Sequence, residues 1–231
     1  MAQNQRKKKA ASKNTAGNGK ALIYILLVIV GIAGAITIGA SAGSDKSPTV
    51  TVATVPGGVD PNEYQKVSVS GDTLVALPDS GTDPAVGKAA PTLNGFDHYG
   101  RPAVIAPGTT GQATMVVFLA HWCPHCNAEV PVLNKWRESG KVPANLRVVG
   151  VTTASKNDQA MWPPSQWLVD MKWPFDVMAD SQDQTAAQAY GVGGYPFLVF
   201  IDAKGNVTQR ASGEIAVEDL QKYADAAVAG A

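Results

Sequence analysis

The sequence predicts an α/β domain, a sheet with helices on both faces, carried behind an N-terminal transmembrane helix. Three observations lead there. Apolar runs of strand length, Thr114-Met-Val-Val-Phe-Leu-Ala120, Asn145-Leu-Arg-Val-Val-Gly-Val151 and Phe197-Leu-Val-Phe-Ile201, show little polar alternation, as expected of strands buried on both faces. Helical stretches separate these runs, and a hairpin followed by an amphipathic helix closes the chain, a pattern that folds into a helix-covered sheet. Finally, Ala21 to Ala40 is a 20-residue run without a charge, which as a helix spans about 30 Å, the thickness of a bilayer core.

In chain order, residues 1–20 are a polar, basic arm holding Arg6, Lys7, Lys8, Lys9, Lys13 and Lys20, with no acidic residue before Asp45. Positive charge on that flank of residues 21–40 predicts a signal-anchor with the N-terminus in the cytoplasm and the remainder extracytoplasmic. Ala40-Ser41-Ala42 resembles a cleavage site, so a cleaved, secreted form is the alternative; the apolar run is longer than the roughly 7–15 residues of a signal core. Beyond the arm, 13 basic residues face 19 acidic ones, which argues against nucleic acid as a partner of the folded part.

Residues 41–88 are rich in Gly, Ser, Thr, Pro and Asp and read as an extracytoplasmic linker, with hairpin character over Tyr64–Ser70 and Thr73–Leu77. The regular domain is expected over 89–231. Pro91–Phe96 and Pro102–Ile105 flank Asp97-His-Tyr-Gly100 as a short hairpin. Asn127–Glu138 places Val130, Leu133 and Trp136 on one helical face, with a kink at Pro131. The segment 153–190 is expected to be helical in parts, over Ser165–Met171 and Asp183–Tyr190, the latter stopped by Gly191. Phe197–Ile201, a turn at Asp202–Asn206 and Val207–Ala211 form a hairpin, and Val217–Val228 the last helix.

The chemistry concentrates in His121-Trp122-Cys123-Pro124-His125-Cys126, which holds both cysteines of the chain and two of its three histidines. A disulfide between such close neighbours removes little chain entropy, so a structural staple is a poor explanation and a redox or metal role a better one. The attacking species in disulfide exchange is a thiolate. Cys123, at the start of the expected helix, sits where free N–H groups and the helix dipole favour negative charge. Pro124 suits the first helical position, a protonated His125 adds positive charge, and Cys126 lies one turn on, placed to resolve a mixed disulfide. A metal site built from His121, Cys123, His125 and Cys126 would need four nearly contiguous ligands, where structural zinc draws a second pair from a distant segment. Covalent haem attachment would need a histidine where Asn127 stands. His121 and His98 are expected as a solvent-exposed loop residue and a turn residue, and the tryptophans beyond 122 as packing.

Trp122-Cys-Pro-His-Cys126 after a buried strand resembles the active site of the thioredoxin superfamily, with the Pro-His pair associated with DsbA-type oxidants. Gly193-Gly-Tyr-Pro196 before an apolar strand is similar to the superfamily's cis-proline loop. The anchor, the 91–105 hairpin and Cys126-Asn-Ala-Glu129-Val-Pro131 resemble the membrane-anchored TlpA/ResA/DsbE branch. That resemblance covers about residues 90–229 and implies a thioredoxin-like fold, a central mixed sheet flanked by helices. It also implies Cys123 as nucleophile, Cys126 as resolving cysteine, and Trp122, Tyr195 and Pro196 as the substrate-facing wall. Glu129 is implied to influence cysteine ionisation. Two departures stand out: Val117 where thioredoxin has a buried aspartate, and Tyr195 where this branch commonly has threonine.

The expected function is therefore extracytoplasmic thiol–disulfide oxidoreduction on exported proteins, with no cofactor beyond a redox-active Cys123–Cys126 disulfide, no metal, and a membrane partner to recycle the dithiol. Pro124-His125 favours an oxidant of substrate thiols. The layout of the chain keeps open a reductant of specific exported proteins such as apocytochrome c. A non-catalytic thioredoxin-like binding module is the weaker rival.

Overall fold

The computed structural model describes residues 60–230, and the 21–40 run lies outside them. Among the described residues no helix is long and apolar enough to cross a membrane. The centre of the fold is β4 (Ala113–Leu119), whose seven residues are all buried. It pairs in parallel with β5 (Leu146–Thr152), and β5 in parallel with β6 (Asp176–Ala179). On its other edge β4 meets antiparallel β7 (Phe197–Ile201), followed by β8 (Val207–Ser212). Beyond β6 stands the antiparallel pair β2 (Thr92–Phe96) and β3 (Pro102–Ile105), joined to β6 through the Phe96–Ala179 pair, with β1 (Ser68–Ser70) along β2. The sheet is mixed and runs β1-β2-β6-β5-β4-β7-β8, with β3 on β2.

The uninterrupted hydrophobicity of β4 has a direct cause: both faces of the strand are covered. Met115, Val117 and Leu119 pack into one core with α1 (Pro124–Glu138), α2 (Pro164–Asp170) and α4 (Val217–Ala229). Val116 and Phe118 pack into a second core with α3 (Thr185–Ala189) and residues of the 67–105 region. Full burial of each such side chain is worth roughly 1.5–3 kcal/mol, which fixes the strand's register and so the position of the motif that follows it. The expected hairpins at 91–105 and 197–211 and the last helix form where the sequence places them.

Three expectations are corrected. The 64–77 segment is not a hairpin: Ser68–Ser70 pairs with β2, and the Leu74 N–H goes to the Ala189 carbonyl at the end of α3. Leu74 is buried there, and its segment fits closely against Gly191, whose φ of +66° leaves no room for a Cβ beside the Val75 carbonyl. Nor is the whole of 41–88 a tether. Glu63, Val67, Leu74 and Ala85 are buried, and Asp83 receives two hydrogen bonds from the buried Arg210, at 2.8 and 2.5 Å. A polar composition suggested a linker because the apolar anchors are few and the charge is neutralised by a distant partner. Third, the 153–190 segment contains a strand, β6, between α2 and α3; at four residues it is too short to announce itself by pattern.

Candidate active site

The motif emerges from the C-terminal end of β4. Ala120 to Trp122 turn the chain, with the Cys123 N–H on the Ala120 carbonyl, and α1 begins at Pro124, three residues before the periodic run Asn127–Glu138. Cys123 is the N-cap residue, with extended backbone (φ −77°, ψ 121°) and no side-chain cap on the helix's free N–H groups. Asn127 staples this turn: its amide donates to the carbonyls of Cys123 (2.9 Å) and His121 (3.3 Å) and accepts from the Trp167 indole (2.8 Å). The sequence reading gave Asn127 no structural role, since its partners come from the preceding turn and from α2.

The two sulfurs are unlike. Both cysteines are free thiols. Cys123 is 6% exposed and its Sγ lies 3.4 Å from the Tyr195 carbonyl. Cys126 is fully buried, receives the Ala120 N–H at 3.4 Å, and its thiol is pushed far up by burial, with the neighbouring Cys123 and Glu129 charges adding to the effect. The three residues expected to face substrate lie close together: the Tyr195–Pro196 peptide is cis, Pro196 is buried, and the Trp122 ring stands edge-on to Tyr195 at 6.3 Å. Burial, together with the Asp180 charge, raises the Tyr195 hydroxyl, which donates to Gln184 at 3.0 Å.

Glu129 occupies the buried side of α1 at 1% exposure. Burial, reinforced by the Glu214 charge and opposed by a hydrogen bond from the Ile215 N–H (3.1 Å), pushes its carboxyl up to about 7. Its other oxygen, Oε1, has no hydrogen-bond partner. His125, one turn before Glu129 on the same flank of the helix, is exposed and pairs with Glu214 at 2.7 Å. The loop after β8 thus grips the site at three points: Gly213 N–H on the Pro196 carbonyl (2.8 Å), Glu214 on His125, and Ile215 N–H on Glu129. Glu214 and Ile215 went unread because a backbone donor and a lone turn carboxylate leave no local pattern.

His121 is not a solvent-exposed loop residue. It is 1% exposed, its Nε2 accepts the Lys156 N–H (3.1 Å) and its Nδ1 therefore donates to the Ala160 carbonyl (2.8 Å). Burial lowers its pKa, which suits the neutral ring. With both nitrogens occupied by backbone it is no ligand, and among the described residues no cluster of three or more His, Cys, Asp or Glu side chains is placed to hold a metal. His98 does lie in a turn, yet it is buried, 3.1 Å from Glu63 and 3.0 Å from the Thr152 hydroxyl.

Comparison with known proteins agrees with this geometry. Residues 86–210, more than half of the chain, match the AhpC/TSA family. The thiol:disulfide interchange protein DsbE of Pseudomonas fluorescens biotype C is 30% identical over 130 residues, covering 56% of this chain and 68% of the relative. DsbE of Haemophilus influenzae is 29% identical over 105 residues, 46% of this chain and 53% of the relative. HelX of Rhodobacter capsulatus, also a thiol:disulfide interchange protein, is 26% identical over 120 residues, 52% and 63%. The chain thus spans between about half and two-thirds of these relatives. A solved DsbE structure from Chlorobium tepidum superposes with a TM-score of 0.50 at 25% identity, covering 62% of this chain and 96% of that one. The chain belongs to the AhpC/TSA family, as a thiol–disulfide oxidoreductase of thioredoxin-like fold related to the DsbE interchange proteins.

Proposed function

We propose that this protein oxidises thiols of exported proteins through a Cys123–Cys126 disulfide. The observation that carries the reading is the asymmetry of the two sulfurs: Cys123 at the uncapped helix start beside the Tyr195–Pro196 wall, Cys126 sealed beneath it. A substrate thiolate attacks the Cys123 sulfur, the Cys123–Cys126 bond breaks, and Cys126 leaves with the electron pair and takes up a proton. A second substrate thiolate attacks the substrate sulfur of the mixed disulfide, and Cys123 leaves as thiolate. Two electrons pass from the substrate pair to the enzyme pair, and a membrane redox partner removes them. Pro124 starts the helix, His125 when protonated adds positive charge at its exposed end, and Trp122, Tyr195 and Pro196 hold the substrate chain. Glu129, a buried carboxylate whose charge acts on the Cys126 thiol, manages the Cys126 proton in place of the aspartate that Val117 replaces. No cofactor is needed beyond the dithiol.

The location follows from the basic arm and the 21–40 run: N-terminus in the cytoplasm, membrane crossed once, catalytic domain outside. Protease added to intact cells should degrade the domain; protection of it would reverse this topology. A second reading, a reductant of specific exported proteins, draws on two carboxylates near the dithiol, Glu129 and Glu214, since negative charge there disfavours the thiolate and with it the reduced form.

The reduction potential of the full-length protein in detergent, equilibrated with glutathione, separates the two. A value toward the oxidising end of the superfamily, around −120 mV, supports the oxidant; one near −270 mV overturns it in favour of the reductant.

A further inference from the structure

Beside the dithiol lies a surface that the exchange chemistry alone does not require. The loop from Ala154 to Trp162 folds against the motif at four places. The Trp122 indole donates to the Ala154 carbonyl (2.8 Å), and the Lys156 ammonium stands 5.2 Å from the centre of the Trp122 ring. The buried His121 ring ties down Lys156 and Ala160 by their backbone and meets the Trp162 ring edge-on at 5.8 Å. Tyr64, from the segment ahead of β1, holds the far side, with its hydroxyl on the Ser155 carbonyl (3.0 Å) and its ring 6.1 Å from Trp162.

Among the polar residues that this scaffold exposes, from Lys156 to Gln159, it also turns two large apolar side chains outward. Met161 is 59% exposed and Trp162 36%. Met161 has φ +62°, and Ala154, at the loop's other end, φ +47°. Left-handed backbone carries a steric cost for a non-glycine residue. A loop that bears that cost twice while turning a large apolar side chain to solvent is shaped for something other than its own packing. The charge that stands over the Trp122 ring is Lys156, with the exposed Asp158 two residues further along the loop, while the Glu214 carboxylate is paired with His125.

We propose that Trp122, Lys156, Met161 and Trp162 form a docking platform for the polypeptide that flanks the reacting cysteine of the substrate. The preferred chain carries a large apolar or aromatic residue against Met161 and Trp162 and an acidic residue against Lys156. The proposal rests on the thiol–disulfide exchange reading, because a chain joined to Cys123 must leave the sulfur over one flank or the other. His121 is two residues from Cys123 and its ring touches Trp162, so the platform is within about four extended residues of the bond that forms. His121 acts as a positioning residue for the loop.

The test uses the oxidised full-length protein and three single-cysteine peptides, with both flanks carrying Leu, Phe and Asp, or Leu, Phe and Lys, or only Gly and Ser. Stopped-flow tryptophan fluorescence gives each rate, and division by the same peptide's rate with oxidised glutathione cancels differences between the peptide thiols. The expected order is Asp-apolar first, about tenfold or more above Gly/Ser, which corresponds to one modest anchoring contact. Lys156→Glu should place the Lys-apolar peptide ahead of the Asp-apolar one, and Met161→Ser should cut the apolar advantage to about threefold. Equal normalised rates for the three peptides, or an order indifferent to both substitutions, would overturn the platform. If reduced glutathione itself fails to open the Cys123–Cys126 disulfide, the exchange reading fails first and the platform with it.

Discussion

The exposed start and the buried face of helix α1 handle charge in opposite ways. At the exposed start, His125 and Glu214 pair at 2.7 Å with side chains 67% and 52% exposed, so water and salt weaken whatever they do. On the buried face, Cys126 and Glu129 are 0% and 1% exposed, and burial alone moves both acids away from their charged forms. Three residues of one helix, with Glu214 from the loop after β8, therefore carry a weak, adjustable influence on the dithiol and a strong, fixed one. The lesson is that the motif's well-known letters, Pro and His, sit at the exposed start.

The largest effect should come from the buried face. Cys126→Ser should abolish turnover while leaving the Cys123 thiolate able to attack a disulfide such as oxidised glutathione, releasing one thiolate and holding the other half as a stable mixed disulfide, visible by mass spectrometry as a one-to-one adduct. In the reduced wild type, iodoacetamide should label Cys123 well before Cys126, whose thiol is both sealed and pushed up by burial. Labelling of Cys126 first would erase the distinction between the two regions.

Glu129 comes next, and here the sign can be worked out. Its carboxyl sits near 4.5 in an unfolded chain and about 7 in the fold. Across that window the native state binds more protons than the unfolded one, so the contribution is fully present below about 4.5 and is lost as pH rises through 7. The loss is at most about 3 kcal/mol, the free energy of a shift of this size. Glu129→Gln should remove this dependence: denaturant unfolding should show the wild type losing stability relative to the variant from pH 4.5 to 7.5, with no further divergence above. Parallel curves for the two proteins would show that the carboxyl does not titrate inside the fold.

How much of this the sequence disclosed follows the same division. Cys123, Pro124, Cys126 and Pro196 were legible because their chemistry is written in adjacent letters: a strand, a cysteine pair, a helix start, and a Tyr-Pro ahead of another apolar run. The sheet was legible because strands buried on both faces cannot hide their composition. Burial of individual polar residues was not. His121 and Glu129 belong to residue types usually found in solvent, and what shields them comes from residues 156–162 and from Ile215, some 35 to 90 positions away. The same distance hid the Asp83–Arg210 bond that turns part of an apparent linker into domain. Strand β6 was missed for a different reason, since four residues between two helices are too few to establish a period.

The smallest effect is expected at the exposed start, and it sharpens the contrast most. Glu214→Gln removes a negative charge near the dithiol, which favours the reduced, thiolate-bearing form and so makes the disulfide more oxidising. An exposed pair of this kind is worth about 1 kcal/mol or less, which corresponds to a rise of about 20 mV at most. The shift should shrink further when the glutathione equilibrium is repeated at high salt, because both side chains lie in solvent. The variant should also move the Glu129 transition to lower pH, since the Glu214 charge is one of the influences holding that carboxyl up. A large shift in potential that persists in salt would mean that Glu214 acts on the sulfurs through the buried Glu129 rather than through His125. The loop after β8, with Glu214 and Ile215 adjacent, would then be the element that joins the two regions of the helix.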